Sequence, residues 1–222
     1  MSLDAHIGHI THLPYSPGSP EQKIPLRAQA VAKRVFDLLV SGGALLCVSP
    51  FLLLVACIIK YESPGPALFR QVRNGRSGKT FQILKFRTMR FEPTAAFRQC
   101  APSDRRVMPF GSFLRKTSID ELPQLINVLR GDMSLVGPRP HPVELDSQFA
   151  GIIPNYMDRY AVRPGLTGWA QVLGRRGPTP TPDVMTMRLA ADLEYIKRWS
   201  LSFDLLIFSR TIPALLFPGK VC

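Results

Sequence analysis

Two adjacent carboxylates, Asp120 and Glu121, stand in the run LRKTSIDELPQL, just after Arg115 and Lys116 and just before Pro123. Three more groups of cations occur, the last two beside Gly or Pro: Lys85, Arg87 and Arg90 in KFRTMR, Arg139 in GDMSLVGPRP, and Arg163 with Arg175-Arg176 at the ends of RPGLTGWAQVLGRR. Cations held in rigid turns are how a protein fixes guanidinium and ammonium groups around phosphate oxygens. Neighbouring carboxylates on a helix diverge by about 100°, so the pair cannot do one job on one atom. One can attack phosphorus or hold Mg²⁺ while the other orients a group or moves a proton. Pro123 lacks an N–H and belongs in the first turn of the helix that follows, which places Asp120 near a helix N-terminus, where a phosphate meets free N–H groups. Ser118-x-x-Glu121 also fits a capping box, in which Glu121 only satisfies a backbone donor. Both readings stand at this level.

The elements that must position these residues are legible in outline. ALFRQVR (67–73) and TFQILKF (80–86) flank NGRSGK (74–79) and read as a β-hairpin around an Asn-Gly turn. Gly78-Lys79-Thr80 resembles the end of a phosphate-binding P-loop, but Arg73 stands where that motif needs its first Gly, so a P-loop nucleotidase is excluded. Segments 118–130, 142–161 and 184–199 are helix-like. The apolar end 201–217, with Asp204, Arg210 and Pro213, reads as an amphipathic segment in the membrane interface. Trp169 reads as a packing residue before a base-stacking one, Asp132 as a turn or cap residue, and His141, between two prolines, as a weak candidate base.

Composition narrows the partners. The 222 residues carry 28 Lys and Arg against 16 Asp and Glu, a net charge of +12, yet 45% are hydrophobic and only 20% charged. That pairing excludes a disordered basic tail protein and points to a globular domain with polyanionic partners: nucleic acid, anionic lipid or phosphorylated substrates. The four cysteines are scattered without a C-x-x-C pair, so neither a disulfide framework nor a zinc site is indicated. His6, His9 and His12 lie in a Pro- and Ser-rich stretch that reads as a solvated tail.

From Val35 to Ile59 the chain carries one charge, Asp37, and has the length needed to cross a bilayer. Ser49-Pro50 interrupts this run, and proline removes a helical hydrogen bond, so a kink or break is expected there. The two short halves could then enter and leave through one leaflet. Lys33-Arg34 precede the segment and Lys60 follows it, and residues 60–222 hold 24 Lys and Arg against 13 Asp and Glu. The positive-inside rule keeps both flanks cytoplasmic. A kinked single span with the small tail outside is the alternative.

Over about residues 31 to 217 the sequence resembles the monotopic phosphoglycosyl transferases, also called bacterial sugar transferases or polyprenyl-phosphate sugar-1-phosphate transferases. The resemblance rests on KRVFDLLVSGGALLCVSPFLLL, the hairpin ending in LKFRTM, LRKTSIDELPQLINVLRGDMSLVGPRP, and RYAVRPGLTGWAQVLGR. Residues 90–114 match only loosely. The resemblance implies an α+β, mainly helical monotopic membrane protein with a re-entrant helix broken at Ser49-Pro50, a β-hairpin and interfacial amphipathic helices. It implies a poorly ordered extension over 1–30, a membrane helix over 31–62 and a catalytic domain over 63–222 in the minimal form of the family, at the cytoplasmic face of the bacterial inner membrane. The activity implied is transfer of a sugar-1-phosphate from a UDP-sugar to polyprenyl (undecaprenyl) phosphate, starting exopolysaccharide or other glycoconjugate synthesis. Asp120 would be the nucleophile forming a phosphosugar-aspartate with release of UMP, Glu121 and Mg²⁺ would complete the site with Asp120 and Glu121 as metal residues, and Lys85, Arg87, Arg115 and Arg139 would contact phosphate. Membrane lipids are expected partners, nucleic acid is not, and a dimer is one of the oligomeric states left open. The rival class is a non-catalytic, membrane-tethered basic module binding nucleic acid or anionic lipid, whose binding would weaken steeply with salt.

Overall fold

A computed structural model of the chain describes residues 27–90, 100 and 104–216, with side chains to residue 211. The His6, His9 and His12 stretch and about half of the loosely matching stretch 90–114 lie outside the described residues. The first helix, α1 (Arg27–Glu62), begins four residues earlier than the sequence predicts and contains Pro50. It runs helical through Ser49 and Pro50, where the Ser49 hydroxyl donates to the Leu46 carbonyl at 3.0 Å. Two hydrogen-bond-separated helices are therefore not seen. A proline deletes one backbone bond and leaves the flanking turns to hold, so helicity on both sides is compatible with a bend.

Both ends of α1 are fastened to the rest of the chain. At its start Lys33 pairs with Asp204 at 2.6 Å, Arg34 donates to the carbonyls of Val128 and Leu129, and Asp37 accepts from the Ser134 hydroxyl and the Leu135 N–H, each at 3.0 Å. At its end Val55 and Ile59 are buried with Phe86, Met108 and Leu114. Between them Leu46, Phe51, Leu53 and Leu54 are exposed. This helix is long and apolar enough to cross a membrane by length and composition.

The hairpin forms as the sequence predicts: β1 (Leu68–Asn74) pairs antiparallel with β2 (Thr80–Phe86), from Leu68 opposite Phe86 to Asn74 opposite Thr80. Helix α2 (Pro109–Thr117) opens on a proline and ends at Ser118 in the left-handed conformation (φ 57°). A 3-10 turn, Ile119–Glu121, follows, then Pro123 and α3 (Gln124–Arg130), which Gly131 closes at φ 93°. The expected helix over 118–130 is thus split. Asp120 lies in the tight turn, outside the first turn of α3.

A second, parallel pair joins β3 (Ser134–Val136) to β4 (Gly165–Thr167). Between these strands come α4 (Val143–Ala150) and a 3-10 stretch, Tyr156–Ala161, where one helix over 142–161 is expected. Short α5 (Trp169–Val172), α6 (Pro182–Arg198) and α7 (Leu201–Leu216) complete the order. The main core gathers Ile83, Val128, Met133, Leu135, Tyr195, Phe203 and Ile207, with Phe36, Val40 and Ala44 of α1 packed on it. A second cluster, including Leu145, Phe149, Met185 and Leu189, ties α4 to α6.

Candidate active site

The turn after α2 carries both carboxylates, and the elements around it decide their fates. Glu121 turns toward β2 and the loop after β3. Its Oε1 accepts from Lys85 Nζ at 3.0 Å and from Arg139 Nη2 at 2.5 Å, and its Oε2 accepts from Arg139 Nη1 at 3.0 Å. A bidentate guanidinium and an ammonium engage both oxygens of this carboxylate. Burial pushes Glu121 up, but Arg139 and then Lys85 outweigh it and hold it well below the usual carboxylate range. The capping-box reading falls here: the side chain serves two cations, and only the Glu121 backbone N–H bonds Ser118, through its carbonyl at 3.1 Å.

Asp120 has the opposite environment. It is 9% exposed, and among the described residues its carboxylate has no hydrogen-bond partner. Burial, followed by the charge of Glu121, raises its pKa to about 6, with Lys85, Arg115 and Arg139 pulling it back. Two adjacent carboxylates are therefore differentiated, one fully paired and one buried, unpaired and within the field of three cations. Paired groups of this kind with divergent proton affinities mark a functional site.

Lys85 and Arg139, expected as phosphate contacts, stand beside the carboxylate pair with their charged ends on Glu121. Arg115 also acts on Asp120 through its charge, while its Nε donates to the Thr88 hydroxyl at 2.8 Å and its Nη1 to Cys100 Sγ at 2.8 Å. Arg87 does not join them. It is buried, and its guanidinium donates to the carbonyls of Pro64 at 2.6 Å and Ser63 at 2.5 Å, with Ile59 at 3.4 Å, which closes the C-terminus of α1. The expected phosphate contact is thereby corrected to a structural one: β2 ends at Phe86, and the next side chain is spent on the carbonyls of the turn that follows α1.

Two more cations surround the pair, Arg73, which had no predicted role, and Arg176 of the last cationic group. Arg73, on β1, donates to the Pro140 carbonyl at 3.1 Å, and burial, then Arg139, lowers its pKa to about 10, with Glu121 pulling it up. Arg176 is lowered by burial and Arg139, and the charges of Glu121 and Asp120 reach it. It lies in the cationic run RR, whereas Arg73 precedes the hairpin turn as an ordinary strand residue. His141 is buried, lies 2.8 Å from the Tyr156 hydroxyl and contacts Arg159; burial and then Arg159 hold it well below the usual imidazole range. A neutral, enclosed His141 is no base for this site. Trp169 donates to Glu194 at 2.9 Å and packs on Phe203, as a packing residue should, and Asp132 accepts from Asn127 at 3.1 Å at the end of α3.

The arrangement can bind and polarise a phosphorylated group between Asp120 and the cations, Asp120 being the carboxylate of the pair that has no hydrogen bond among the described residues. A model of the family described as bacterial sugar transferase matches residues 28–218. A Caulobacter vibrioides protein named UDP-glucose:undecaprenyl-phosphate glucose-1-phosphate transferase is 53% identical over 201 residues, covering 90% of this chain and 74% of that one. An Escherichia coli protein of the same name is 48% identical over 181 residues, covering 81% of this chain and 39% of its own length. The exopolysaccharide production protein PSS of Rhizobium leguminosarum is 44% identical over 195 residues and is covered almost end to end, 98%. With nearly all its length inside the matched span, Asp120 and Glu121 included, the chain belongs to the bacterial sugar transferase family.

Proposed function

We propose that this transferase moves a hexose-1-phosphate, glucose-1-phosphate by the names of the Caulobacter and E. coli relatives, from its UDP-sugar to undecaprenyl phosphate. The observation that carries the reading is Asp120: buried, without a hydrogen bond among the described residues and in the field of three cations, beside a carboxylate bonded to two. Asp120 ionises near pH 6, so at neutral pH it is a carboxylate with free lone pairs. One of its oxygens attacks the β-phosphorus; the bond from that phosphorus to the bridging oxygen breaks, UMP leaves with the electron pair, and a phosphosugar-aspartate remains. An oxygen of undecaprenyl phosphate then attacks the same phosphorus, restoring the carboxylate and forming undecaprenyl diphosphate sugar. Three anionic groups must share a small volume, and Lys85, Arg139, Arg115, Arg73 and Arg176 offset their repulsion. Glu121 acts in this scheme by placing Lys85 and Arg139; held so far below neutrality, it carries no proton at pH 7.

Mg²⁺ commonly uses one or two carboxylates together with substrate phosphates. The residues fit a metal held by Asp120 and the diphosphate, where it would neutralise phosphate charge; both oxygens of Glu121 are already taken by cations. A dimer is left to measurement.

The fastening of both ends of α1 to one body supports a one-sided path, in which the apolar middle around Ser49-Pro50 dips into the cytoplasmic leaflet of the inner membrane and returns. The exposed Leu46, Phe51, Leu53 and Leu54 would meet lipid there, and the site would face the cytoplasm, where UDP-sugars are found. The test is UMP release from radiolabelled UDP-glucose with undecaprenyl phosphate. Asp120→Asn should fall by about 10³-fold or more, Glu121→Gln by about 10²-fold, and the parent without acceptor should release a burst of UMP equal to enzyme. Near-parental turnover in Asp120→Asn would end the covalent reading.

A further inference from the structure

The position of Arg139 is set by an unusual means. It stands between Pro138 and Pro140, neither of which has an N–H to give, and the three successive carbonyls of this segment are each held by a different element. The Pro138 carbonyl accepts from the Gly165 N–H of β4 at 2.8 Å, the Arg139 carbonyl from Arg159 Nη2 at 2.9 Å, and the Pro140 carbonyl from Arg73 Nη1 at 3.1 Å. The middle anchor is the most deeply set. Arg159 is 1% exposed, its Nη2 also pairs with Asp192 of α6 at 2.6 Å, and its Nη1 contacts His141 Nδ1 and the Tyr156 hydroxyl, the latter at 3.1 Å. Tyr156 donates on to Asp146 at 2.8 Å, which also accepts from Tyr160 and, at 2.7 Å, from Asn74.

A charged fork so enclosed, with one arm on a carboxylate and on the backbone of a site residue, is more than the fold needs at that point: an aliphatic side chain would fill the space without the desolvation of two ions. We propose that Arg159, oriented by Asp192, is a positioning residue for Arg139, fixing the main chain from which the Arg139 guanidinium grips Glu121 and meets the substrate diphosphate. Arg159 touches no reacting atom; it acts through Arg139. The inference rests on the transferase reading given above.

A double-mutant cycle tests it, with the full-length chain in detergent or nanodiscs. Arg159→Lys keeps the charge and loses the planar fork, Asp192→Asn keeps an acceptor and loses the charge, and each is combined with Arg139→Ala. The kcat and KM for UMP release from UDP-glucose and the Tm are measured for every variant. Acting through Arg139, Arg159→Lys and Asp192→Asn should each lower kcat/KM about tenfold in the parental background and less than about twofold in Arg139→Ala, with KM for UDP-glucose raised. Equal factors in both backgrounds, with KM unchanged and Tm lowered, would show a purely structural role and overturn the proposal. No loss in the parental background would overturn it as well. Should Arg159→Lys not fold, the Asp192→Asn cycle decides by the same criterion. Full activity in Arg139→Ala alone would instead overturn the reading of the site, and the role of Arg159 with it.

Discussion

At the scale of single residues, the site is built by treating two neighbouring carboxylates differently. Glu121 is given three hydrogen bonds from Lys85 and Arg139, and Asp120 is given none among the described residues. Keeping an unpaired carboxylate in the interior has a thermodynamic signature. Asp120 ionises at about 6 in the folded chain, against 3.8 for an ordinary carboxyl. Below pH 3.8 both folded and unfolded chains hold the proton, and Asp120 contributes no difference. Between 3.8 and about 6 the folded chain alone holds it, so stability falls as pH rises; above about 6 the whole penalty is present. Asp120→Asn should therefore be inactive yet more stable than the parent at pH 7.5, by about 1–3 kcal/mol, with the difference vanishing near pH 4. Thermal unfolding across that range checks it. An Asn variant less stable than the parent at pH 7.5 would mean that Asp120 has a stabilising partner in solution.

At the scale of elements, the loop bearing Arg139 depends on how closely two short strands approach. A Cβ on Gly165 would lie 2.1 Å from the Gly137 nitrogen and 2.4 Å from the Thr167 carbonyl oxygen, both backbone atoms that cannot swing aside. Gly165→Ala should force β3 and β4 apart, break the bond from the Gly165 N–H to Pro138 and displace Arg139, costing about 2–4 kcal/mol together with most of the activity. Gly151→Ala, where a Cβ meets nothing within 4 Å, should stay within about 0.5 kcal/mol of the parent. Tm and UMP release measured side by side on the two variants make the comparison. This pair of strands also shows where sequence reading stops. The hairpin is legible because two short runs flank a Gly-containing loop, a local signal, although Asn74 pairs within β1 and the left-handed residues of the connection are Ser77 and Gly78; the apolar run of α1 and Asp120-Glu121 are local signals too. Strands β3 and β4 have three residues each and lie about thirty positions apart, and they exist because glycines let backbones touch, which has no periodicity to read. Arg87 fails for a related reason: KFR offers two cations one residue apart, and only the packing of α1 against the end of β2 assigns Lys85 to the site and Arg87 to the helix terminus. Arg159 opens the RYAVRPG block, but nothing local points to its role, since the Arg139 carbonyl and Asp192 lie 20 and 33 positions away.

At the scale of the whole molecule, the decisive fact is that one body holds both ends of an apolar helix. From Asp37, bonded to β3, to Ile59, packed under β2 and α2, are 22 residues, about 33 Å if straight, which is the thickness of a hydrocarbon core. A helix standing upright across the bilayer would carry these anchors to opposite faces, and one of them would have to be torn from its partner: either Asp37, buried on the Leu135 N–H, or Ile59, which is wholly enclosed. Breaking either set would uncover a buried charge or a core cluster, whereas the one-sided path proposed above would keep both. The charges agree, since Lys33 and Arg34 at the start and Lys60 at the end all belong with a cytoplasmic face under the positive-inside rule. Single cysteines at the exposed positions Val31 and Tyr61, introduced as Val31→Cys and Tyr61→Cys after Cys47, Cys57, Cys100 and Cys222 are changed to Ser, report the geometry directly. With a membrane-impermeant maleimide, both should label in inside-out vesicles and neither in right-side-out ones. Labelling of the two from opposite sides would require α1 to cross, and one of its two anchorages to be absent in the membrane.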